Sequence, residues 1–102
     1  MDYKNSSLSP EQRAKSLLSI MTLEEKVAQM FIVSCPTVDA AIYASQYQFG
    51  GYIYFYNHFK ESDPDTFREN LQSYQDNVKI PMFMAVDEEG GDYLVDEKAK
   101  SA

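Results

Sequence analysis

An acidic turn, residues 87–91 with the sequence DEEGG, holds the side chains with the clearest capacity for chemistry. Asp87, Glu88 and Glu89 are consecutive carboxylates, and carboxylates accept hydrogen bonds from hydroxyl groups. Gly90 and Gly91 lack a Cβ, so the backbone there can turn sharply and leave room for a ligand. Such a turn suits a polyol better than a phosphate, and we expect a sugar as its natural ligand.

Three other interpretations of this turn stay open on the residues alone. Acidic residues after a strand are commonly solvated loop residues, which is the plainest account. Asp87, Glu89 and Asp92 could supply oxygen ligands to Mg²⁺ or Ca²⁺, although their spacing is not that of an EF-hand. Asp87 and Glu89 could also form the carboxylate pair of a glycosidase, since residues i and i+2 of an extended chain face the same side.

Three apolar segments predict the strands that would position the turn. They are residues 30–34 (MFIVS), 52–56 (YIYFY) and 82–86 (MFMAV). None alternates between apolar and polar residues, which is typical of interior strands covered on both faces. Ligands bind beyond the carboxyl ends of parallel strands, and the acidic turn follows the third segment directly.

Helices are predicted before and between these strands. Ser9 and Thr22 each stand three residues before a Gln or Glu, the pattern of a capping box, and predict two leading helices. Residues 38–47 predict an alanine-rich helix, and Asp63 with Pro64 opens the most amphipathic one. The order helix, helix, β, α, β, α, β predicts an α/β fold of parallel strands joined by right-handed crossovers.

Composition restricts the classes of function. The chain has 102 residues, enough for one domain, and a net charge of −7, which disfavours nucleic acid and anionic membrane surfaces. Its single cysteine, Cys35, cannot form an internal disulfide, and with one histidine it cannot complete a structural zinc site. We expect no metal and no cofactor, with Mg²⁺ or Ca²⁺ at the acidic turn as the open alternative. No apolar run is long enough for a membrane span and no secretory signal is visible, which predicts a cytoplasmic location.

Three motifs together resemble the opening of glycoside hydrolase family 3. They are MTLEEKVAQMFIV at residues 21–33, GGYIYFYN at residues 50–57, and IPMFMAVDEEGG at residues 80–91. The second motif begins after Phe49, which is not part of the match. Their order and spacing match the family as well. An aspartate followed by two acidic or amide residues and a glycine pair is similar to the β-N-acetylhexosaminidase branch, whereas the β-glucosidase branch usually has a histidine before its glycine.

The resemblance implies a partial TIM (β/α)8 barrel, with two leading helices and then three parallel strands with crossover helices. It implies that Asp87 hydrogen-bonds hydroxyls of the terminal sugar, which makes Asp87 the expected substrate-binding residue. The family's catalytic aspartate, its lysine-histidine motif and its histidine-bearing loop lie further along the barrel, and this sequence contains none of them. His58 matches none of these motifs and is expected to be an ordinary surface residue.

We therefore expect a truncated domain, related to hydrolysis of terminal β-linked N-acetylhexosamine but inactive alone, with no catalytic residue in this chain. Its expected ligand is a carbohydrate of the N-acetylglucosamine type. Residues 1–91 would form the N-terminal portion of the barrel domain and residues 92–102 a divergent, disordered tail. Within that tail Val95 stands where the family usually has an arginine.

Three strands cannot close a barrel, which takes about 250 residues and eight strands. Two strand edges and an apolar face would stay uncovered, so we expect self-association through the exposed edges. The alternative is a free-standing α/β interaction or sugar-binding module without catalysis. In that case the two leading helices would cover the open face and complete a small three-stranded sandwich.

Overall fold

The structure is a computed structural model that describes residues 2–60 and 62–88, and it has a mixed α/β fold. Its elements confirm the predicted order and add one short helix after the second strand. In chain order they are α1 (Pro10–Ile20), α2 (Leu23–Ala28), β1 (Ile32–Ser34), α3 (Ala40–Tyr47), β2 (Gly51–Tyr54), α4 (Tyr56–Phe59), α5 (Pro64–Asp76) and β3 (Phe83–Val86).

The two leading helices begin at the predicted capping boxes. The Ser9 hydroxyl accepts the backbone N–H of Gln12 at 3.2 Å, and the Gln12 side chain accepts the Ser9 N–H at 3.0 Å. Thr22 and Glu25 repeat this exchange at 3.1 and 3.0 Å. Each pair satisfies two N–H groups that a helix start would otherwise leave without partners. Local sequence is therefore enough to fix both helix starts.

Helix α3 begins and ends in a different way. Its flanking residues Asp39 and Gln48 both have left-handed backbone conformations, with φ of 57° and 54°. The Asp39 side chain makes no capping hydrogen bond. The crossover from β1 to β2 thus changes direction at two residues that are not glycine, although their left-handed backbone conformation usually favours glycine.

The three strands form one parallel sheet in the order β1-β2-β3. Val33 aligns with Tyr52, and Tyr52 with Met84, so the register is continuous across the sheet. The second strand ends earlier than predicted, because the Phe55 N–H donates to the His58 ring instead of to a neighbouring strand. The chain from Tyr56 then forms α4, where the sequence predicted the end of a strand and a loop.

One face of the sheet packs against α3 and α5. Tyr52 is fully buried there, its hydroxyl donates to the Ala40 carbonyl of α3 at 2.7 Å, and its ring meets Tyr74 of α5 edge-on. Tyr54 packs in the same way against Phe67, with ring centroids 5.1 Å apart. The buried apolar core consists of Cys35, Ala40, Ala44, Tyr52, Tyr54 and Met82.

The opposite face of the sheet is open over the described residues. Ile32 and Phe83 lie in the same register row on either side of Gly51, and their exposed fractions are 52% and 74%. The prediction that the strands are covered on both faces is therefore wrong for this part of the chain. The leading helices do not supply the cover, since Leu23 and Val27 of α2 are themselves exposed.

Gly51 allows the central and third strands to approach closely. A Cβ at this position would collide with the carbonyl oxygen of Phe83, and backbone atoms of a paired strand cannot move aside cheaply. The glycine therefore leaves a gap in the open face between Ile32 and Phe83.

Candidate functional site

The carboxyl ends of all three strands meet at one edge of the sheet, as the parallel arrangement requires. Cys35 follows β1 and its N–H donates to the Ile53 carbonyl at 3.0 Å. Asp87 follows β3 and its N–H donates to the Tyr54 carbonyl at 3.0 Å. Strand pairing therefore continues one residue past β1 and β3, and it fixes the backbone of Asp87 at the edge where ligands of parallel sheets bind.

Asp87 is half-buried and Glu88 is exposed. The alternation along β3 places Asp87 with Phe83 and Ala85, on the side of the open face. A carboxylate held there can accept hydrogen bonds from ligand hydroxyls. Glu88 falls on the other side of the strand, so the two neighbouring carboxylates do not share one ligand.

The metal set of Asp87, Glu89 and Asp92 and the carboxylate pair of Asp87 and Glu89 both include residues outside the described part of the chain. The glycines of the turn, Gly90 and Gly91, lie outside it as well. Within residues 2–60 and 62–88, no group of three or more His, Cys, Asp or Glu side chains is arranged to hold a metal ion.

His58 differs from the ordinary surface residue that was expected. Its Nδ1 accepts the Phe55 N–H at 2.8 Å, and its Nε2 lies 2.9 Å from the Cys35 carbonyl oxygen. The first bond requires an unprotonated Nδ1, so Nε2 carries the hydrogen that Cys35 accepts. His58 thus joins the end of β2 to the end of β1 and has no free ring nitrogen for catalysis.

Sequence reasoning missed this role of His58 for a clear reason. The partner Cys35 lies 23 residues away, and nothing local marks it. One local signal could have predicted the contact with Phe55. His58 follows Phe55 by three residues, and at this spacing a histidine ring nitrogen can accept the backbone N–H at the end of a strand.

The end of β1 is neutral, in contrast to the acidic end of β3. The Cys35 thiol is buried against the hydroxyls of Tyr54 and Tyr74, and burial raises the pKa of Cys35 above its ordinary value. Burial also raises the pKa of Tyr54 and that of Tyr74. All three groups therefore keep their protons at neutral pH, and Cys35 is a poor nucleophile, since the thiolate is the reactive form.

Comparison of the chain with protein-family models, with curated proteins and with solved structures found no match. In the described residues, no helix has the length and apolar character needed to cross a membrane.

Proposed function

We propose that the chain is the N-terminal part of a glycoside hydrolase family 3 barrel of the β-N-acetylhexosaminidase type. In this proposal it contributes a sugar-binding carboxylate, Asp87, and none of the catalytic groups. The observation that carries the proposal is the position of Asp87, half-buried at the carboxyl end of a parallel strand with its backbone N–H bonded to the neighbouring strand. Catalytic barrels bind their substrates at this edge.

The topology of the sheet supports a barrel origin. The strands are parallel and their spatial order equals their chain order. Helices α3 and α5 pack against each other and against the same face of the sheet, as Tyr52 shows by contacting both. Consecutive units of a (β/α)8 barrel have this arrangement, whereas a doubly wound sheet reverses its strand order and carries helices on both faces.

The open face also fits a barrel origin. The interior of a barrel is filled by side chains that point inward from its strands, and bulky residues dominate there. Ile32 and Phe83 are apolar and exposed on this face. In a complete barrel they would be covered by residues of the other strands.

The alternative function is a free-standing interaction or sugar-binding module without catalysis. The same exposed residues favour it, because apolar side chains on an open face and unpaired strand edges promote association. This function requires neither the family resemblance nor a sugar at Asp87, and its partner in the simplest case is a second copy of the chain.

Calorimetric titration with N-acetylglucosamine tests the role of Asp87. We expect Asp87→Ala to weaken binding by roughly tenfold or more, the loss of a hydrogen bond to a charged group. Glu88→Ala is the matched control, since it removes a neighbouring carboxylate from the other side of the strand and should leave the affinity unchanged. Absence of heat with the unmodified chain, or equal heats for the chain and Asp87→Ala, would overturn the proposal.

A hydrolysis assay with a chromogenic β-N-acetylglucosaminide tests the second half of the proposal. We expect no turnover by the 102-residue chain. Turnover that persists in independently purified preparations and disappears in Asp87→Ala would show that the chain contains catalytic groups of its own.

A further inference from the structure

A pocket of about 250 Å³ lies on the helix side of the strand ends, away from the side of Asp87. Its walls come from the segment after β1, from α4 and the residues after it, and from one face of α5. Its lining residues include Cys35, Thr37, Asn57, His58, Asn70 and Tyr74.

The backbone around this pocket is held firmly. The Cys35 N–H donates to Ile53 and its carbonyl accepts from His58, so both of its backbone polar groups are engaged. His58 in turn is fixed by the Phe55 N–H. A pocket with fixed walls can bind a ligand without the entropic cost of ordering them.

Among residues 2–60 and 62–88, no Asp, Glu, Lys or Arg lines the pocket. Burial raises the pKa of Cys35 and that of Tyr74, so both stay protonated. An anion would find no counter-charge here, and the chain's net charge of −7 repels it further.

Three polar side chains that line the pocket can form hydrogen bonds to a ligand. Over the part of the chain that the structure describes, no hydrogen bond uses the side-chain amide of Asn57, the side-chain amide of Asn70 or the hydroxyl of Thr37. Each amide offers two donors and one acceptor group. Asn70 also lies between Phe67 and Tyr74 on one face of α5, because positions i, i+3 and i+7 share a helix face.

We propose that this pocket binds a small, neutral, polyhydroxylated molecule of monosaccharide size. Its volume equals that of roughly eight water molecules at about 30 Å³ each, below the range of pockets for drug-sized ligands. Asn57, Asn70 and Thr37 bond to ligand hydroxyls, while the rings of Phe67 and Tyr74 form the apolar floor. The site does not involve Asp87 and does not depend on the proposed glycosidase ancestry.

Glucose is the probe, and a ¹H–¹⁵N NMR titration of the 102-residue chain is the measurement. We expect saturable shifts at the side-chain amide signals of Asn57 and Asn70. Glucose 6-phosphate is the charged comparison and should bind at least tenfold more weakly, because the pocket offers no cation. Absence of saturable shifts at either asparagine, or equal binding of the phosphate ester, would overturn the proposal.

Asn70→Ala is the decisive variant. Alanine is the better helix former at an exposed position of α5, so the fold should be retained, which circular dichroism checks. We expect about tenfold weaker glucose binding, the loss of one or two hydrogen bonds. Gln72→Ala removes another exposed carboxamide of the same helix and should bind like the unmodified chain. Equal affinity for Asn70→Ala and Gln72→Ala contradicts the site.

Asp87→Ala separates this site from the proposed substrate contact. We expect it to leave the glucose shifts at Asn57 and Asn70 unchanged. If it abolished them, the ligand would bind at the strand-end carboxylate and the pocket proposal would be wrong. The proposed function would then still stand.

Discussion

Tyr52 shows how one side chain joins three elements of this fold. It lies on β2, donates a hydrogen bond to α3 and meets α5 edge-on. Burial is the largest cause that raises the pKa of Tyr52 to about 12, so the hydroxyl remains a donor over the physiological range. The sequence marks Tyr52 as a strand residue, but the partner of its hydroxyl, 12 residues earlier, depends on how α3 packs.

We expect Tyr52→Phe to lower the free energy of unfolding by about 1–2 kcal/mol, because the hydrogen bond to the Ala40 carbonyl is buried. Tyr43→Phe is the matched control: it removes a hydroxyl from an exposed tyrosine and should change stability by less than about 0.5 kcal/mol. Urea unfolding followed by circular dichroism measures both. Equal stabilities for the two variants would contradict the role given to the Tyr52 hydroxyl.

The candidate site could be predicted from the sequence only in part. Asp87 follows a strand as predicted, because an apolar run that ends in an acidic residue is visible locally. His58 and Cys35 were not recognised as neighbours, because their contact arises only when β1 and β2 pair. The amides of Asn57 and Asn70 come together for the same reason, through the packing of α5 on the sheet.

Among the elements, the starts of α1 and α2 and the ends of β1 and β3 were predictable, whereas the end of β2 was not. A capping box is complete within four residues, so Ser9 and Thr22 identify it without tertiary context. The end of β2 depends on competition between a neighbouring strand and the His58 ring for one N–H, which local sequence does not decide. The apolar runs predicted strands covered on both faces, which is wrong for the described residues, because such runs indicate burial without saying which part of the chain provides it. The argument that three strands cannot close a barrel predicted the uncovered face.

Asp63 gives α5 a start that depends on pH. Its carboxylate accepts the backbone N–H groups of Asp65 and Thr66 and the Thr66 hydroxyl, and these bonds lower the pKa of Asp63. A lowered pKa in the folded state means that the stabilisation is present above the ordinary value of 3.8 and is lost as the pH falls below it.

We therefore expect Asp63→Asn to fold with nearly unchanged stability at pH 7, since asparagine is an equally good N-cap. Its stability should fall less than that of the unmodified chain between pH 4 and pH 2. Asp63→Ala should be less stable at pH 7 and should show the same reduced pH dependence. Thermal melts at several pH values measure these differences. A pH profile of Asp63→Asn that parallels the unmodified chain would contradict this account.

At the scale of the molecule, the decisive feature is that, over residues 2–60 and 62–88, helices cover one side of the sheet and leave the other open. Both edge strands, β1 and β3, lack a second strand neighbour among the described residues. The parallel pairing of the strands was predictable from the alternation of elements, whereas their order was implied only by the family resemblance. The exposure of the open face was predictable only from the argument that three strands cannot close a barrel.

We expect the chain to associate with itself through this face, and Phe83 to contribute most because it is 74% exposed. Phe83→Thr keeps a β-prone residue while removing apolar surface, so it should shift the chain toward monomer. Val38→Thr removes a similarly exposed apolar residue outside the sheet and should have no such effect. Sedimentation velocity over a range of concentrations compares them. A monomeric unmodified chain at high concentration would contradict the expectation.

The left-handed residues on either side of α3 restrict which amino acids this crossover can accept. In a library containing every substitution at Asp39, glycine and asparagine should survive selection for folding, and valine, isoleucine and threonine should be lost. The choice of amino acid at position 48 is restricted further, because the Gln48 side chain accepts a hydrogen bond from the backbone N–H of Lys79, in the segment before β3. Sequence variation in the β1–β2 connection should therefore concentrate between these two positions, and changes in its length should be rarer than changes in its surface residues.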